Sequence, residues 1–479
     1  MKSPSRLSVI CERIIEAGWL IAVILAPLFF NSTTYRIYDA NKIALIQVAV
    51  SVMAVAWVIK WLEHHRSNPI SLRGMLASPL VLPTLAIVLV QIFTTVTAIA
   101  PAVSFVGSFT RPQGASIALS YVALFALMAQ GLTTRQQFDR LLATIALASL
   151  PVALYGIIQN FGLDPLVWDR EIAGRAFANL GNPIFLGGYL IMAFFLTCGR
   201  ALASAREPGK AAARRAGMYG LIACVQSLGI VFTISRGPWL GWLAGFFFFA
   251  LLLAFVLRLR RAMQGMAILG IVGVVALAAL NVPNTPLEPL RRAPYIGSLG
   301  HIFEGESGTG KVRTLIWEAD ARVFSESPAV QFPDGTPDRL HFIRQLVGYG
   351  PDSMSVVYTQ FRIADGTDAN PKEDHSHNET WDVLVNTGIL GLIAYQSLWL
   401  CIFFLGLQWL GLATTKGARA LLIGLWLGGG LVLGLATIAL GQFKYFGVAL
   451  PLGNLAGVAL FLIGAAWCSR PSADRKSVV

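Results

Sequence analysis

The chain has 479 residues, 55% of them hydrophobic and 13% charged, and a formal net charge of +12. A soluble domain carries about 25% charged residues, so this composition, with a mean hydropathy of +0.64, argues against a soluble protein and for a polytopic membrane protein. The five cysteines (Cys11, Cys198, Cys224, Cys401, Cys468) fall in apolar stretches or near their ends, which argues against a disulfide framework.

Basic residues Lys2, Arg6 and Arg13 precede the first apolar run. No convincing small-x-small cleavage site follows Phe30, so this run reads as a retained span rather than a signal peptide. Twelve apolar stretches are long enough to cross a bilayer, which takes roughly 17–25 residues each. They lie near 14–31, 43–62, 79–100, 114–132, 141–161, 183–199, 217–235, 238–257, 266–282, 383–409, 419–440 and 446–468. The seventh and eighth are separated by Arg236 and Gly237, which predicts a tight helical hairpin. The expected fold is all-α: about twelve transmembrane helices with one large, partly helical extracytoplasmic loop. Residues 1–282 form the first nine helices, 283–382 the loop, and 383–479 the last three helices with a short tail.

Basic residues set orientation. With the N-terminus inside, the short inner segments hold 21 Lys and Arg and the short outer loops hold 7. Both termini are therefore expected in the cytoplasm. Much of the positive charge is explained by topology, without nucleic acid as a partner. The outward segment 283–382 holds 15 acidic and 9 basic residues. It opens on Pro283, Pro286, Pro289 and Pro294, an irregular start. Residues 311–326 have the spacing of an amphipathic helix, and the aromatic content of the segment favours a folded cap over disorder.

Every Asp and Glu can be placed in loops or near span ends, which counts against an ion-coupled transporter. Polar chemistry gathers on the outer side. Arg111, Arg175, Arg236 and Arg313 lie there, and a guanidinium at a membrane surface suits phosphate through its paired hydrogen bonds. An interfacial anchor or a lipid head-group contact is the plainer reading of each. Arg236, in its tight turn, is the one least like a flexible anchor. Gly348-Tyr349-Gly350-Pro351 reads as a turn, either facing substrate or serving as simple punctuation. In Asp374 to Gly391, Ser376 and Glu379 have capping-box spacing and place His377 in the first helical position. There an imidazole tends to stay neutral and able to accept a proton; the plainer reading is a polar interfacial residue at a helix end. His375 and His377 lack further ligands at zinc spacing, so no metal is expected.

Four motifs in order resemble the O-antigen ligase family, within a superfamily that also holds O-antigen polymerases and protein O-oligosaccharyltransferases. SRGPWLG at 235–241 resembles its arginine turn, and VRTLIWEAD at 312–320 its arginine-then-tryptophan helix. VGYGPDSM at 347–354 resembles its glycine-rich turn, and SHNETWDVLVNTGILGL at 376–392 its His-Asn helix. RAFANLGNPIFLGGYL at 175–190 is similar to a further segment, with Ile184 where a second Asn is usual. The resemblance implies a metal-independent, cofactor-free glycosyltransferase in the bacterial inner membrane, with its active site on the periplasmic face. The donor would be a glycan on undecaprenyl or another polyprenyl diphosphate, and the acceptor lipid A-core or another hydroxyl, among membrane lipids. It implies His377 as catalytic residue and Arg236, Arg313 and Arg175 as diphosphate ligands. Arg111, Tyr349, His375 and Asn378 are further candidates for substrate contact. The rivals are a polymerase or a protein-directed ligase and, from another class, a lipid or glycan transporter without chemistry.

Overall fold

A computed structural model describes residues 5–34, 37–65, 79–108, 112–166, 174–293, 296–301, 308–327, 329–332, 335–361 and 374–468. In chain order the helices are α1 (Arg6–Leu28), α2 (Ala40–His65), α3 (Val81–Val96), α4 (Pro101–Val106), α5 (Ala115–Gly131), α6 (Arg135–Asn160), α7 (Pro183–Ala205) and α8 (Lys210–Phe232). There follow α9 (Arg236–Val256), α10 (Arg260–Leu280), α11 (Glu288–Arg291), α12 (Gly308–Glu326), α13 (Arg344–Val347), α14 (Met354–Phe361), α15 (Glu379–Trp409), α16 (Lys416–Ala439) and α17 (Phe446–Cys468).

Among the described residues, nine helical segments are long and apolar enough to cross a membrane. Two shorter apolar helices are α3 and α5, of 16 and 17 residues. The 23-residue α1 carries Glu12, Arg13 and Glu16 within its length. The chain divides into two compact units: residues 1–70, 119–250 and 274–303 form the first, and 71–118, 251–273 and 304–479 the second. The segment 283–382 therefore belongs to neither unit as a whole.

Small residues let the helices of the first unit approach closely, as membrane helices require where lipid supplies no hydrophobic drive. Gly18 of α1 faces Met53 of α2, Gly229 of α8 faces Leu190 of α7 and Ala153 of α6, and Gly187 of α7 faces Pro238 at the start of α9. Gln226 of α8 is fully buried; its amide donates to Ser149 Oγ of α6 (2.6 Å) and Thr197 Oγ1 of α7 (3.0 Å). The tight turn between α8 and α9 is present. However, Arg236 is the first residue of α9 rather than a turn residue, because the chain reverses one step earlier, with Ile234 at φ +47°. From there α9 packs on α7, with Trp242 edge-on to Phe194.

In the second unit, α16 and α17 meet backbone to backbone, Gly429 against Gly453 and Gly457 against Leu425. Helix α15 departs from the straight span expected of residues 383–409. It starts at Glu379 and breaks at Gly388, whose φ of +66° and ψ of −164° lie outside the helical region. Glycine adopts such a conformation without a Cβ penalty. At the break, the carbonyls of Val385 and Asn386 accept the N–H groups of Tyr349 and Gly350, each at 2.9 Å. The carbonyl of Tyr349 accepts from Ile99 N–H at 3.0 Å, so the Gly-Tyr-Gly segment is held on both sides. A Cβ on Gly348 would meet the Asn386 backbone, and one on Gly388 would meet Leu346.

Beneath this contact Arg344, 2% exposed, forks onto both oxygens of Asp338 (2.7 and 2.9 Å) and donates to the carbonyls of Thr97 and Gly348. Burial alone would raise the Asp338 carboxyl, but the hydrogen bonds and charge of Arg344, with the Leu340 N–H and His341, outweigh it and hold it below its usual value. A depressed carboxylate contributes stability above its unfolded value and loses it as pH falls.

Two outcomes follow for thermal unfolding in detergent. Gly388→Ala lowers stability by about 1–3 kcal/mol, the cost of forcing a Cβ into that backbone region. Asp338→Asn leaves Arg344 buried without its counter-charge and costs about 3–5 kcal/mol at pH 7. The stability gap between wild type and Asp338→Asn narrows as pH falls below about 4, where the unfolded chain takes up the proton that the folded carboxylate still resists.

Candidate functional site

In the second unit the site is built on α12 and the start of α15. Ile316 and Ala319 of α12 are buried against Met354 and Tyr358, and Val323 joins Ile99, Tyr349, Val357 and Val385. Arg313 lies one helical turn before Trp317, so the two share a face. Trp317 Nε1 donates to the carbonyl of Ser376 (2.8 Å), and its ring stands edge-on to Tyr445. Helix α12 thus carries Arg313 to within a turn of the segment that holds His377.

That segment differs from the capping-box expectation. The N-cap of α15 is Asn378, whose side-chain oxygen accepts the N–H groups of Thr380 (3.0 Å) and Trp381 (3.2 Å). Asn caps as well as Ser does, and Ser376 is occupied elsewhere. Its N–H donates to Asp382 Oδ1 (2.9 Å), and its hydroxyl meets Met354 Sδ (3.2 Å) and the Asp320 carboxyl. His377 therefore stands before the cap rather than in the first helical position. It is exposed, with φ at +49°, a left-handed conformation few non-glycine residues adopt.

His375 is 8% exposed, with Nδ1 3.5 Å from Asp382 Oδ1. Asp352, also left-handed at φ +55°, is buried and feels the charge of His375. Its Oδ2 accepts from Ser108 N–H and Gln113 N–H. Burial holds this carboxyl above its usual value, and the two N–H groups and His375 oppose the shift. Arg111, between those two loop ends in sequence, lies outside the described residues. Tyr349 is buried to 2% beneath the Arg344 guanidinium, 5.4 Å from its ring centre, so its side chain belongs to the core.

In the first unit, Arg175 and Arg236 lie at one turn. Arg175 Nε donates to Thr233 O (3.1 Å) and Nη2 to Ser235 Oγ (2.7 Å), capping the carbonyl end of α8. Burial lowers its guanidinium from the ordinary value. It stays charged, because arginine does not deprotonate in proteins. Arg236 Nη1 donates to the carbonyl of His301 (2.6 Å), and the His301 ring meets the carbonyl of the buried Arg291 (3.2 Å). The turn thus presents two guanidinium groups, each steadied by a main-chain carbonyl.

Sequence reasoning missed Asp320, Asp352, Asp382 and Arg344. Asp320 had a legible signal: it sits four residues after Ile316 and three before Val323, on the buried face of an amphipathic helix. Asp352 had none, because its partners Ser108 and Gln113 lie far away in the chain. Among the described residues, no three His, Cys, Asp or Glu side chains are grouped to hold a metal ion.

Fold and composition together define a polytopic helical membrane protein. Compared with protein-family models, curated proteins and solved structures, the chain matches none.

Asp320 generates a prediction of its own. Burial holds its carboxyl well above the usual range, Ser376 opposes this by hydrogen bonding, and the nearby Asp382 adds to it. The folded state then keeps a proton that the unfolded chain releases near pH 4, so stability falls as pH rises from there. Asp320→Asn cannot titrate. Its Tm relative to wild type climbs as pH goes from about 4 to about 8; a pH-independent difference would show that Asp320 ionises normally.

Proposed function

We propose that this chain is a membrane glycosyltransferase of the O-antigen ligase type. It moves a glycan from a polyprenyl diphosphate to a hydroxyl of lipid A-core at the periplasmic face of a bacterial inner membrane. In this reading the twelve apolar stretches all span and both termini are cytoplasmic. The observation that carries it is His377: an exposed imidazole in a left-handed backbone conformation, between two hydrogen-bonded neighbours and one residue from the Trp317 contact of the Arg313 helix. Strain of this kind collects at functional sites.

The chemistry assigns each group a task. His377 takes the proton of the acceptor hydroxyl, a poor nucleophile until a base removes it. The freed electron pair forms the new bond to the anomeric carbon. The bond from that carbon to the phosphate oxygen breaks, and its electron pair leaves on the diphosphate. A single displacement of this kind inverts the anomeric centre. Guanidinium groups stabilise the growing charge on the leaving oxygen, and Arg313, on the helix whose Trp317 meets Ser376, takes this role.

The test is transfer by purified protein in liposomes, with a polyprenyl-diphosphate glycan as donor, with and without lipid A-core. The expected result is acceptor-dependent, EDTA-insensitive product, reduced about 10²–10⁴-fold in His377→Ala, the usual worth of a positioned base. Donor chains that lengthen without acceptor would make the protein a polymerase. Glycan crossing the bilayer equally in both proteins, with no product, would make it a transporter.

A further inference from the structure

The segment around His377 holds more hydrogen bonding than a helix start requires. Asn378 alone serves the first free N–H groups of α15. A carboxylate in the first turn of a helix ordinarily adds to that cap or simply faces its positive end. Asp382 does something else. Its Oδ1 reaches back past the cap to the N–H of Ser376, six residues earlier, and lies 3.5 Å from His375 Nδ1.

Ser376 is fully buried and is gripped at every polar atom. Its N–H goes to Asp382, its carbonyl receives Trp317 Nε1, and its hydroxyl lies between Asp320 and Met354 Sδ. Burial beside Asp382 raises the Asp320 carboxyl, and its hydrogen bond with the Ser376 hydroxyl opposes that shift. On the other side of His377, Asn378 is pinned by its two cap bonds. The left-handed residue is therefore the one link between two immobilised neighbours, and its own side chain is exposed. The left-handed conformation costs about 1–2 kcal/mol for a residue with a Cβ, and the flanking bonds offset it.

We propose that Ser376 and Asp382 are the positioning residues of His377, fixing its main chain so that the imidazole is presented at one angle to the acceptor. The proposal rests on the reading of His377 as the base. Neither residue touches substrate in it. Both act through the backbone of residue 377. What matters in Asp382 is an acceptor oxygen at the right reach rather than its charge, because an N–H donor needs only a carbonyl-like partner.

The experiment compares wild type, Asp382→Asn and Asp382→Ala in proteoliposomes, with two readouts. One is steady-state transfer; the other is hydrogen–deuterium exchange of the peptide covering 374–382, which needs no activity. Asp382→Ala is expected to lower kcat about 10²-fold, the usual penalty for misplacing a reacting group by about 1 Å, with donor KM changed less than about threefold. Exchange in the peptide rises in the same variant. Asp382→Asn keeps the acceptor oxygen and is expected to recover most of both. If Asp382→Ala does not purify, Asp382→Thr, too short to reach residue 376, is read in the same way. Unchanged kcat in the shortened variant, unchanged exchange, or an Asn variant as damaged as the shortened one would each overturn the proposal. A wild type that transfers nothing would refute the base reading of His377 instead, and the exchange readout would still decide whether Asp382 clamps Ser376.

Discussion

The second unit depends on main-chain pairing at a broken helix. Where Gly388 interrupts α15, the carbonyls of Val385 and Asn386 turn to the N–H groups of Tyr349 and Gly350. Inside a membrane protein an unmet backbone group costs several kcal/mol, so a break survives only where another segment satisfies it. Two glycines make this possible. Gly348 and Gly388 each lie against the other segment's backbone, with no room for a Cβ. Arg344 then completes the joint, tying Asp338, Thr97 and Gly348 while its guanidinium lies over the Tyr349 ring.

From this joint the position of the candidate base is inherited. Val385 and Asn386 belong to the same half of α15 as Asn378 and Asp382, so the joint that holds the break also sets where the helix begins. Helix α12 lies on the same cluster through Val323 and delivers Trp317 to Ser376. A residue as small as Ser376 can be fully buried in polar company because each of its atoms meets a partner there. His377 is thus mounted on a rigid frame while its ring stays accessible, as a reacting group requires.

The acidic residues of this region divide by environment. Asp338 faces a guanidinium and is held below its usual value, whereas Asp320, buried near another carboxylate, is pushed well above it. The partners differ in reach: Arg344 is a local neighbour of Asp338, but Ser376 and Asp382 lie some sixty residues beyond Asp320.

Composition and apolar run length by themselves determined that this is a helical membrane protein, because the cost of exposed backbone in lipid leaves long apolar runs only that solution. The 3.6-residue spacing likewise marked the amphipathic helix observed as α12, and Gly348 marked a turn. Local signals ran out where one rule offered two candidates. Ser376 and Asn378 both qualify as N-caps, and only the tertiary partners of Ser376, namely Trp317, Asp320 and Met354, decided for Asn378. The same holds for Gly388: glycine in an apolar run reads as a packing contact or as a break. It became a break because residues 349 and 350, nearly forty positions earlier, supply the hydrogen bonds that a broken helix needs. Periodicity reports what a segment does to its own neighbours; it carries no record of which distant groups will satisfy it.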